Sequence, residues 1–161
     1  MKTNVTIVVA LMMVTFHISS CSTVSKTSDP RLRAELLSKA DARDLDIQVR
    51  EMIPMQGNSQ FLTPEYHIAV KGDTVISHLP YFGRAYSAPY SGGNVFSFKA
   101  PLLSYKVDDS RKTGPVRITF STKTIDDTFT FHIDLFENRK ASVRVSAVNR
   151  QGISYSGELS D

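Results

Sequence analysis

Apolar and polar residues alternate with a period of two along most of the chain. Leu45, Ile47 and Val49 are interleaved with Asp46, Gln48 and Arg50, and the run ends near Pro54. A period of two sends one set of side chains into a core and the other into water, so it predicts a half-buried strand. The pattern returns at Tyr66, Ile68 and Val70, and again in TVISHL, with Gly72-Asp73 between them as the turn of a short hairpin. VFSFKAP predicts a strand with Phe96 and Phe98 on one face, and LLSYKV either extends it or pairs with it. Three more alternating runs, 116–120, 129–135 and 141–147, are joined by the short stretches TIDD and ENRK, as in an antiparallel meander with one wet face. ISYSGEL, after the turn at Gly152, supplies a last strand.

One segment has the helical period instead. Asp29 is a helix N-cap with Pro30 at the first position, where its missing N–H costs nothing, and Leu32, Leu36, Leu37 and Ala40 fall on one face. The spacing predicts a helix over about 30–43, its leucines packed on a sheet. The expected fold is α+β and mainly β: an N-terminal helix on an antiparallel sheet of about eight strands, curled into a sandwich or a partly open barrel.

The first twenty residues do not belong to that pattern. MKTNVTIVVALMMVTFHISS has one charge, Lys2, before an apolar run from Val5 to Val14 that is too short to span a bilayer, which is the outline of a signal peptide. Cys21, the chain's one cysteine, follows Ile18-Ser19-Ser20. A branched apolar residue three before a cysteine, with small residues between, resembles the bacterial lipobox, in which the cysteine is diacylated and becomes residue one. The alternative is an ordinary secreted protein with a stray thiol, unpaired in an oxidising compartment. The expected organisation is a lipoprotein signal peptide over 1–20, the lipidated cysteine and a flexible tether over 21–28, and one globular domain over 29–161. STVSKTSD after the cysteine has no acidic run, which is consistent with an outer-membrane anchor facing the periplasm.

Charge narrows the partners. The whole chain has 19 basic and 16 acidic residues, scattered in both signs, with no basic block longer than Arg111-Lys112 or Arg139-Lys140. No nucleic-acid groove is expected from so balanced a surface. The partners expected are the membrane, through the lipid anchor, and an unknown small ligand or envelope protein.

LPYFGRA at 79–85, GG before VFSF at 92–98, and NRQ-ISYSG at 149–157 together resemble an uncharacterised family of small secreted or lipoprotein domains, mostly from Bacteroidetes and known only as a domain of unknown function. The resemblance spans roughly residues 35–159. It implies an envelope location and a single-domain architecture, and no chemistry.

Few residues point to a reaction. His67, His78 and His132 form no HxH, HxxxH or CxxC pair and sit in strand-like runs, where an outward polar position explains them, so no metal or other cofactor is expected. No serine lies in G-x-S-x-G, and Cys21 is taken by the anchor. Asp108-Asp109 and Asp126-Asp127 fall at turns, where Asp satisfies nearby backbone N–H groups, rather than facing one another across a substrate. Gly92-Gly93 precedes a strand, not the helix that a phosphate-binding loop needs. No enzymatic role is expected.

The stretch LPYFGRAYSAPYSGG at 79–93 remains. Tyr81, Phe82, Tyr86 and Tyr90 offer ring faces and Arg84 a planar five-donor cation, a set suited to lining the mouth of a binding site. Equally, Leu79, Tyr81 and Phe82 would plug one end of the sheet, with Gly83 at a tight turn and Arg84 pairing with an acid such as Asp134. Arg150 and Tyr155 carry the same two readings: a second wall of the site, or a hydrogen-bonded corner. The expected function is that of a lipid-anchored, non-catalytic module binding a small envelope ligand, with a protein-interaction or scaffold lipoprotein as the alternative and a hydrolytic enzyme behind both.

Overall fold

The computed structural model describes residues 30–87, 95–111 and 113–160. The signal peptide, Cys21, the tether and Tyr90 lie outside the described residues. Helix α1, Pro30–Asp41, is followed by strands β1 (Asp44–Pro54), β2 (Gln60–Phe61), β3 (His67–Lys71), β4 (Thr74–Pro80), β5 (Val95–Asp108), β6 (Val116–Lys123), β7 (Thr128–Leu135), β8 (Lys140–Ala147) and β9 (Ile153–Leu159). The expected helix on an antiparallel sheet is present, and the sheet goes further than a partly open barrel: β9 pairs with β1, so eight strands close into a ring. Closure removes the edges that an open sheet would have to protect.

Every pairing in the ring is antiparallel and, apart from β1–β3 and the closing β1–β9, joins sequential neighbours, while the short β2 lies beside the second half of β1 at Glu51 and Met52. β2 was not evident from the sequence because two residues cannot establish a period. VFSFKAP and LLSYKV form one long strand, β5, whose first part pairs with β4 and whose second part pairs with β6 beyond a register shift at Leu102/Ser104. Strand β1 bends similarly at Val49/Glu51. Such shifts add local twist, which a small barrel needs to close.

Eight strands leave an interior just wide enough for side chains to fill. Tyr155, Phe120, Phe131, Leu45, Ile47 and Leu79 are fully buried there. Phe120 and Phe131 stack at 4.8 Å, and Phe96 meets the edge of Phe129 at 5.0 Å. Gly157 completes the ring: a Cβ there would lie 2.2 Å from the Gln48 carbonyl oxygen of β1, so only glycine lets the closing strands meet at this point.

Helix α1 covers one end of the barrel. Leu36 and Ala40 are buried, whereas Leu32 is 40% exposed and Arg33 is buried in its place. The Arg33 guanidinium donates to the Gly114 carbonyl at 2.7 Å and to the Asp109 carboxylate at 2.6 Å, holding the helix against the β5–β6 loop. On the same end the Tyr105 hydroxyl donates to the Ala40 carbonyl at 2.6 Å, and burial pushes that phenol up to about 12. In a meander the loops alternate between ends, so those after β1, β4, β6 and β8 gather at the opposite rim.

Candidate functional site

That opposite rim is where the structure places most of the residues singled out in the sequence. Tyr81 is 5% exposed, its ring 4.6 Å from that of Phe96. Its hydroxyl donates toward the Arg84 carbonyl at 2.9 Å and the Gln151 carbonyl at 3.1 Å. Burial raises the Tyr81 phenol above the ordinary tyrosine value, against a smaller opposing effect from the Arg150 charge. The chain folds over this ring so closely that a Cβ on Gly83 would lie 2.6 Å from the hydroxyl. Tyr155 lies inside the barrel with its hydroxyl on the Pro80 carbonyl at 2.7 Å, and burial pushes its phenol up strongly.

Loop 148–152 is laced to loop 81–87. The Gln151 N–H donates to the Arg84 carbonyl at 2.9 Å, the Tyr86 N–H donates to the Asn149 carbonyl at 2.7 Å, and Ala85 and Arg150 form an isolated bridge. Arg150 is buried with its guanidinium 5.3 Å from the centre of the Phe96 ring and 5.7 Å from that of Tyr81, within cation–π range. Its Nε is 3.9 Å from Asp127 Oδ2. Asp127 in turn accepts the backbone N–H groups of Thr128 at 2.8 Å, Val148 at 2.9 Å and Asn149 at 3.1 Å. Tyr81 and Tyr155 are thus buried with their hydroxyls on backbone carbonyls, and Arg150 is buried between the Tyr81 and Phe96 rings and the Asp127 carboxylate, so the three pack the end of the barrel.

The outward part of the same rim differs. Phe82 is 54% exposed and Tyr86 70%, and the other segments at this rim also carry exposed apolar residues: Met55 after β1, Phe61 on β2, Ile125 after β6 and Val148 after β8. Gly57 lies against the Phe82 ring, a Cβ there falling 3.9 Å from it, so the segment between β1 and β2 adjoins Phe82. A shallow cleft of about 280 Å³ opens between Gln56, Phe82, Gly83, Arg84 and Gln151, with Tyr81 at its floor. The Arg84 side chain is exposed there and has no acid partner among the described residues. Asp134, weighed as its partner, instead pairs with Arg117 at 3.4 Å on the barrel wall. A second hollow of about 220 Å³ lies on the same end over Phe96, Phe98 and Phe129, with Ile125 at its lip.

Sequence reasoning placed Asp127 at a turn without its link to Arg150, and missed Gln56 and the exposed apolar residues Met55, Phe61, Ile125 and Val148. The meander itself carried a signal for them, since large apolar residues in alternate loops must meet at one rim. The strand-like setting of the histidines concealed one further proximity: His67 and His78 stand directly opposite each other on β3 and β4. Among the described residues no group of three or more His, Cys, Asp or Glu is arranged to hold a metal, and no helix is long and apolar enough to cross a membrane.

Comparison with known proteins yields a family and a fold. The sequence model described as Domain of unknown function (DUF4251) matches residues 29–159. Among solved structures, that of a DUF4251 family protein from Bacteroides eggerthii is similar to this chain with a TM-score of 0.62, covering 81% of this chain and 88% of its own at 15% identity. At that identity the likeness shows the fold alone. No curated protein matches the chain significantly.

Proposed function

Because the chain belongs to the DUF4251 family, which brings a fold and no activity, we propose its role from its own surface: a non-catalytic binding module of the bacterial cell envelope. It is anchored through an acylated Cys21 in the outer membrane, facing the periplasm, and engages an envelope protein through the rim opposite helix α1. Two or more acyl chains make such an anchor stable where one would be marginal.

The observation that carries this reading is the concentration of exposed large apolar residues at that rim: Met55, Phe61, Phe82, Tyr86, Ile125 and Val148. Scattered exposed apolar residues are ordinary, whereas a group on one face beside a cation marks a contact surface. Arg84 gives the partner its chemistry, an apolar segment carrying a carboxylate, since a guanidinium binds carboxylates bidentately. The polar groups beneath are committed to backbone, which favours a rigid contact surface over a reacting centre.

Photocrosslinking in cells tests this. With a photoreactive residue replacing Phe61, Phe82 or Tyr86 in the full chain, the reading expects one discrete protein adduct from the rim and none from Thr130 or Ser142 on the barrel wall. It also expects the rim adduct to vanish in Arg84→Glu. Adducts of equal yield from wall and rim, or none from either, would contradict it.

A second reading rests on the cleft alone: a small carboxylate-bearing ligand, its anionic group on Arg84 and the Gln151 amide and its apolar part on Phe82. Native mass spectrometry of the detergent-extracted full chain separates the two. A small-mass adduct lost in Arg84→Ala favours the ligand, and a bare chain that still gives the protein crosslink favours the partner.

A further inference from the structure

We propose that His67 and His78 form a binding site for a divalent late transition metal of the zinc class on the outer face of the β3–β4 hairpin. The two residues are direct cross-strand partners, and their ring centres are 6.3 Å apart. Two imidazoles sharing one ion through metal–nitrogen bonds of about 2.0–2.1 Å have ring centres roughly 5 to 6.5 Å apart, between tetrahedral and linear arrangements. The observed separation lies at the linear end of that range, so a tetrahedral ion draws the two rings about 1 Å closer by side-chain rotation.

The hydrogen bonds orient both rings. The Nδ1 of His67 is 3.1 Å from the Glu65 carbonyl oxygen. A carbonyl can only accept, so this nitrogen carries the proton and Nε2 keeps its lone pair. The Nδ1 of His78 is 3.2 Å from the Ser97 hydroxyl on β5, the strand on the far side of β4 from His67. With Nδ1 turned to β5, the Nε2–Cδ2 edge of that ring faces β3 and His67. Metal-binding histidines characteristically donate their second N–H to a carbonyl, carboxylate or water, which fixes tautomer and ring direction; the Glu65 carbonyl does this for His67, and the Ser97 hydroxyl, which can donate or accept, fixes only the direction of the His78 ring. Tyr66 adds a third restraint, its ring stacked on that of His78 at 5.3 Å and 14°.

Nitrogen donors of this kind suit zinc, nickel and copper rather than calcium or magnesium. Two protein ligands leave the remaining positions to water or to a donor from another molecule, so the site is open, and it lies on the outer face at the rim end of the hairpin, where β3 begins and β4 ends. His132 is the internal control. It is exposed on the same barrel exterior, its Nδ1 3.3 Å from the Thr119 hydroxyl, but Thr119 and Arg144 are its cross-strand neighbours and no second imidazole faces it.

The test is a zinc chloride titration of the ¹⁵N-labelled full chain in mild detergent and a non-coordinating buffer, followed by calorimetry and by the imidazole nitrogen resonances. The expected result is saturable binding of one ion per chain that shifts the Nε2 resonances of His67 and His78 and leaves those of His132 in place. Binding should be lost in His67→Gln and in His78→Gln, each with an unchanged melting temperature without metal, and should weaken about tenfold in Ser97→Ala. The proposal is overturned by the absence of saturable binding, by binding that survives both histidine substitutions, or by equal shifts at His132.

Discussion

Asp127 shows how much of the rim rests on one side chain. Its carboxylate accepts the N–H groups of Thr128, Val148 and Asn149 and faces the buried Arg150, so two loops depend on it at once. Asp127→Ala would leave three donors without this acceptor and a buried cation without its counter-charge, and should cost about 3–5 kcal/mol in a chemical-denaturation series. The sequence located this residue at a turn and gave the right reason, backbone N–H groups, but only the fold shows that two of the three donors come from a second loop, 21 and 22 residues on. Gly157 is a sharper case. Nothing in ISYSGEL distinguishes it from a weak strand position, yet Gly157→Ala should destabilise by about 3 kcal/mol, because the new methyl meets backbone rather than a movable side chain. Gly72→Ala, with φ +59° and open space around it, should cost only about 1 kcal/mol, and thermal melts of the pair would separate the two causes.

At the scale of elements, a period of two located seven of the strands, and the helix signal at Asp29-Pro30 located α1. Closure of the ring was not legible, since pairing between the first and last strands is a matter of register and twist that no local window contains. The helix stripe was only partly legible: Leu32 points to water and Arg33 inward, because Arg33 reaches loop carbonyls that its aliphatic neighbours cannot satisfy. Arg33→Ala should therefore loosen α1 more than the barrel. Hydrogen exchange is expected to quicken in the amides of residues 34–41 while those of β6 and β7 keep their protection, and equal loss in both would show that helix and barrel form one cooperative unit. For the loops the sequence left two readings of 79–93. Tyr81 proves to be buried plug and Phe82, Arg84 and Tyr86 exposed surface, a division set by where the chain turns at Gly83 rather than by residue type.

For the whole molecule, three phenols tie stability to alkaline pH. Tyr81, Tyr105 and Tyr155 all have their ionisation raised by burial, so the unfolded chain loses these protons first as pH rises. Stability from them is intact below about pH 10, the ordinary tyrosine value, and falls as pH climbs through the folded value, about 12 for Tyr105. Denaturation midpoints should decline above pH 10, and the decline should be shallower in Tyr105→Phe. The same packing that raises these phenols fills the barrel, which is why the proposed recognition is assigned to the rim and not to an interior cavity.

That rim is either a contact surface or only the outside of a plug. The direct measurement is the yield of the Tyr86-site photocrosslink in cells for Phe82→Ser/Arg84→Glu beside the unchanged chain, with the melting temperature of both recorded. A crosslink reduced at least tenfold in a protein that melts within a few degrees of the original is the predicted result. An undiminished crosslink, or one lost only together with the fold, would contradict it.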